Sequence, residues 1–85
     1  MMAINLERTA MQGRLAEAER KQTALKSKFE ALARSIRTGL NTALTPAVDI
    51  EVPELSQLWD DLVLTWGELL GTRLDIERLK RELGN

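Results

Sequence analysis

The sequence predicts an all-α protein: a two-helix antiparallel coiled-coil hairpin, assembling into a four-helix bundle as a dimer. Three observations predict it. Residues 5–44 contain no proline and carry apolar residues in a heptad repeat. The stretch TPAVDIEVP, residues 45–53, interrupts the repeat with two prolines. Beyond it an apolar side chain recurs every seven residues, at Leu55, Leu62, Leu69, Ile76 and Leu83. At 85 residues the chain is one domain at most. The expected layout is a single hairpin domain over 1–85, with helices of about 5–44 and 54–83 joined by a connector at 45–53.

The first helix is rich in Ala, Leu, Glu, Lys, Arg and Gln, all good helix formers. Asn5 suits its N-cap. With Met11 at d and Leu15 at a, the d column reads Ile4, Met11, Ala18, Leu25, Leu32 and Gly39. The a column reads Arg8, Leu15, Gln22, Phe29, Ile36 and Ala43. Nine of these twelve are apolar, which favours coiled-coil packing over an isolated surface helix.

The connector has two readings. Val48, Ile50 and Val52 alternate with Asp49 and Glu51. They form either an extended link whose apolar side chains cap the bundle end, or a strand edge that pairs with another chain.

The second helix opens with Pro53 in its first turn and Glu54 at its positive end. Taking Leu55 and its sevenfold successors as d places Trp59, Trp66, Arg73 and Lys80 at a. Both tryptophans are then core residues, and the charged pair lifts its heads from the seam to water. Facing residue numbers that total about 98 bring Gly39 opposite Trp59, Leu32 opposite Trp66 and Ile36 opposite Leu62, so small meets large. The same register brings Arg37 near Asp61, Lys21 near Glu77 and Glu17 near Arg81. Arg20 against Arg78 and Glu30 against Glu68 oppose it. Residues 1–44 carry a net +4 and residues 45–85 a net −5, so the halves complement each other within the hairpin.

A surface helix should have one dry face, yet Asp60–Leu74 is apolar on every side. Leu58, Val63 and Leu70 flank the seam, and Leu64, Gly67, Gly71 and Leu74 form a second stripe on the outer face. Glycine in a helix interior is about 1 kcal/mol less favourable than alanine. Two glycines four apart therefore suggest close approach by another backbone; the alternative is a kinked helix with tolerated glycines. Ala33 and Leu40 widen the apolar band from the first helix. About ten residues of the longer first helix should overhang, including Ile4 and Met11. These eleven residues are the expected protein interface.

The composition disfavours chemistry. The sequence has no cysteine and no histidine, so thiolate and imidazole ligands and the commonest general base are missing. Ser27, Ser35 and Ser56 have no such base to activate them, no glycine-rich phosphate loop appears, and no carboxylate spacing suggests a metal site. The expectation is a non-enzyme without cofactor or metal. Basic residues on the first helix are interrupted by Glu17, Glu19 and Glu30, which disfavours nucleic acid. No apolar run approaches the roughly 18 residues that span a bilayer, and the N-terminus does not resemble a signal peptide. A cytoplasmic location is expected.

The expected function is a helical-hairpin interaction module that self-associates as scaffold or adaptor. The alternatives are a small regulatory or inhibitor protein that docks on a larger protein through the same apolar face and, less favoured, a nucleic-acid binder that uses the basic first helix.

Overall fold

The structure, a computed structural model, describes residues 2–84, with side chains from Leu6 onward. Helix α1 spans Met2–Gly39, a single 3-10 turn spans Ala47–Asp49, and helix α2 spans Val52–Glu82. The two helices pack against each other as a hairpin. The side chain of Ile4 lies outside the described residues. Asn5 sits inside α1 and does not cap it.

The heptad of α1 matches its packing. Met11, Leu15, Ala18, Gln22, Leu25, Phe29, Leu32, Ile36 and Gly39 are buried or half-buried, at alternating spacings of four and three. Helix α1 stops at Gly39, short of the expected Leu44, and Ala43 is exposed outside it. Asn41 supplies the physical reason. Its side-chain Oδ1 accepts the Ala43 N–H at 3.0 Å, and its carbonyl accepts from Leu44 and Thr45 at 3.1 Å each. Those bonds offer the backbone a turn in place of another helical ring.

Residues 48–52 form no strand within the hairpin and are extended only in part: Val48 and Asp49 belong to the 3-10 turn, Ile50 is extended, and Val52 begins α2. Asp49 N–H donates to the Pro46 carbonyl at 2.9 Å, closing the 3-10 turn. Val48 is 91% exposed and Val52 is also exposed, so they do not cap the bundle; only Ile50 turns partly inward. Pro53 sits in the first turn of α2, where its missing N–H has no intrahelical role, with Glu54 beside it. At the other end Gly84 takes φ 80° and its N–H closes onto the Arg81 carbonyl at 3.0 Å. Glycine adopts that left-handed conformation without steric penalty and stops the helix.

The seam of α2 differs from the expected one. The buried and half-buried column is Leu55, Leu58, Leu62, Thr65, Leu69, Thr72, Ile76, Leu79 and Leu83. The sevenfold aliphatic column is therefore in the seam, but its companion is Leu58, Thr65, Thr72 and Leu79. Trp59 and Trp66 are 56% and 53% exposed, and Arg73 and Lys80 are exposed beside them. The threonines can enter because each hydroxyl donates to the carbonyl four residues back: Thr65 to Asp61 and Thr72 to Glu68, both at 2.8 Å. With the hydroxyl satisfied by its own helix, the side chain packs as a small apolar group.

Register shifts accordingly by one turn. Gly39 meets Leu55 rather than Trp59, and a Cβ at Gly39 would overlap the Leu55 δ-methyl. Facing numbers then total about 94. In that register Leu32 comes opposite Leu62, Phe29 opposite Thr65, Leu25 opposite Leu69, Gln22 opposite Thr72 and Leu15 opposite Leu79. Large still alternates with small, but with Thr65 as the small partner of Phe29. At the open end the Arg8 Nη1 donates to the Leu83 carbonyl at 3.1 Å, tying α1 to the C-terminus of α2.

Candidate interaction surface

The corrected register sorts the flanks of the seam into two unlike sides. In an antiparallel pair, residues preceding a face one another, as do residues following d. On the first flank α1 presents Arg14, Lys21 and Lys28, and α2 presents Glu82, Asp75 and Glu68 at matching levels. A shallow groove lined by Arg14, Ala18, Asp75, Arg78, Leu79 and Glu82 marks this side. Basic faces acidic along its length, which accounts for the opposite charges of the two halves. Among the described residues, however, the ion pairs run along single helices: Glu17–Arg20 at 4.0 Å, Arg73–Glu77 at 3.9 Å and Asp75–Arg78 at 3.7 Å, all exposed. The expected pairs Arg37–Asp61, Lys21–Glu77 and Glu17–Arg81 do not close. This charged rail is thus complementary across the two helices without direct salt bridges, and exposed pairs of this kind contribute little stability.

The second flank is apolar near the connector. Trp59 and Trp66 stand on it one heptad apart, with Val63 and Leu70 on the adjoining row of α2. On α1, Leu40 and Ala33 come level with Val52 and Trp59. Towards the open end the same flank turns polar, with Lys26, Glu19, Arg73 and Lys80. The result is one exposed apolar patch about half the length of a rod 68 Å long and 16 Å wide. Two half-exposed tryptophans alone leave roughly 250 Å² uncovered, already a large share of the biggest apolar patch of a typical monomer.

The expected interface residues divide among three environments. Val63, Leu64 and Leu74 are exposed, Leu40 is exposed, and Leu70 and Ala33 are half-buried at the patch edge. Gly67 and Gly71 lie bare on the outer face of α2, where an added Cβ would meet nothing within 4 Å. Leu58 and Met11 instead belong to the seam and are half-buried there. The tryptophans are the surface residues that sequence reasoning misplaced. Arg73 and Lys80 in their column are the signal against burying it, because an unpaired buried charge is far less favourable than a backbone-bonded threonine.

Little else converges. An open hollow of about 510 Å³ at the connector end is rimmed by Arg34, Asp49, Glu51 and Glu54 over Leu55 and Leu58. Among the described residues no three metal-ligating side chains gather. No helix there is long and apolar enough to cross a membrane. Comparison with protein-family models, with curated proteins and with solved structures found no match.

Proposed function

We propose that this chain is a non-enzymatic helical-hairpin interaction module that self-associates and serves as a scaffold or adaptor. One observation carries the reading: two tryptophans, each more than half exposed, stand on a rigid helix in one patch with Val63, Leu70 and Leu40. Aromatic side chains held on a regular element bury large area at little entropic loss, which is why they dominate binding hot spots. The partner is a second copy, forming a four-helix bundle from two hairpins.

Light scattering across a concentration series tests the proposal. A mass of two chains that falls to one on dilution, with tryptophan emission shifting to the red as it does, is the expected result. Phe29 is the only other aromatic residue, so the emission reports on Trp59 and Trp66 alone. A monomer at every concentration contradicts self-association. It would move the protein to the second reading, a regulator or inhibitor that docks on a larger protein. The bare Gly67/Gly71 face supports that second reading, since small residues let a foreign backbone approach α2 closely.

A further inference from the structure

We infer that the tryptophan flank docks on a second copy of this chain with the two connector ends side by side, the two-fold axis running along the rod. The inference rests on the self-association reading and specifies its geometry.

Surface area supports a second copy as the occupant. The chain exposes 6644 Å². A compact monomer of its 9.6 kDa exposes about 5,100 Å². The excess, about 1,500 Å², is larger than the roughly 800 Å² that each partner contributes to a standard interface.

Polarity along the flank decides the direction. Its connector half is apolar and its open half carries Glu19, Arg73 and Lys80. Two hairpins docked over their full length with connectors at opposite ends would press each tryptophan pair onto the other's charged half, stranding Arg73 and Lys80 against apolar surface. Sliding them until only the apolar halves overlap would leave both open halves uncovered. With connectors together, apolar meets apolar and charge meets charge at every level but that of Trp66. Helix α2 of one copy then lies over α1 of the other at the same levels that hold within the hairpin. Trp59 comes over Ala33 of the partner subunit, large on small. Trp66 comes over Lys26 of the partner subunit, where an ammonium can sit on an indole face. Arg73 meets Glu19 of the partner subunit, so the charged half is complementary as well.

Distance measurement distinguishes the arrangements. The sequence has no cysteine, and Val48 is almost fully exposed at the connector, so Val48→Cys accepts a single spin label per chain. Hairpin layers about 10 Å apart place the two labels within about 30 Å of each other. A distance of half the 68 Å rod length or more, as the slid and the full-length opposed arrangements give, in a sample that light scattering shows to be dimeric overturns the side-by-side geometry and leaves self-association intact. A monomeric sample without dipolar coupling overturns both. Two variants locate the face independently. Trp66→Glu should weaken the dimer by about thirtyfold or more, as loss of a hot-spot aromatic does, while helicity by circular dichroism is kept. Leu64→Glu, on the opposite side of α2, should leave the mass unchanged. The reverse outcome assigns the interface to the glycine face and overturns the inference.

Discussion

Thr65 and Thr72 show how local hydrogen bonding reassigns a residue. Thr65 is 1% exposed although its side chain is polar, because its hydroxyl is already bonded to Asp61 of the same helix. Thr65→Val keeps the branched shape and removes only that local bond. It should change unfolding free energy by less than about 1 kcal/mol in urea titrations at fixed protein concentration. Thr65→Lys places an unpaired ammonium in the seam and should lower stability by about 3 kcal/mol. A harmless Thr65→Lys would contradict the burial of Thr65 in the seam. The phase of α2 was ambiguous from its leucines alone. The sevenfold column can take its companion column either three or four residues on, and both candidates contain two large apolar and two polar residues. Residue size favoured the tryptophans. Charge favours the threonines, since Arg73 and Lys80 lose more on burial than two self-bonded hydroxyls. That discrimination was present in the sequence, but it required weighing desolvation above volume.

Helices themselves were legible to within about a turn and a half at their ends, because heptad periodicity and paired prolines act locally. Their ends and register were less so, because these depend on one side-chain bond at Asn41 and on the close approach of Gly39 to Leu55. The glycines sort by the same criterion. Gly67→Ala and Gly71→Ala meet open space within one hairpin, so each should raise helix stability by about 1 kcal/mol. The check is thermal unfolding of the monomer at low concentration. Gly39→Val crowds Leu55 in the seam and should lower stability by about 1–3 kcal/mol. Arg8 bridges both elements. Arg8→Ala removes its bond to the Leu83 carbonyl and the favourable charge at a helix C-terminus. The expected effect is about 1 kcal/mol or less, with faster amide exchange confined to the last turn of α2.

At the scale of the whole molecule the hairpin is a rod, with a radius of gyration of 19.2 Å against about 12 Å for a compact chain of its length. A rod of two helices buries one seam and leaves both flanks to solvent, and that geometry is why a polar rail and an apolar patch can coexist in so short a chain. The sequence marked Val63, Leu70, Ala33 and Leu40 as one apolar band across both helices, but the tryptophans join it only at the observed register. The seam is also unevenly dry along its length. Ile76, Leu79 and Leu83 are buried near the open end, whereas Leu55, Leu58 and Leu62 beside the connector are half-buried. The covalent link thus enters α2 at its least covered stretch, and the buried positions of that helix begin only at Thr65. Backbone amides should record this as a gradient of opening free energies. Exchange should be slowest between about Leu69 and Leu79 and fastest from Leu40 to Leu58. The native hairpin would then open first at its connector end, although that is the end the chain itself ties.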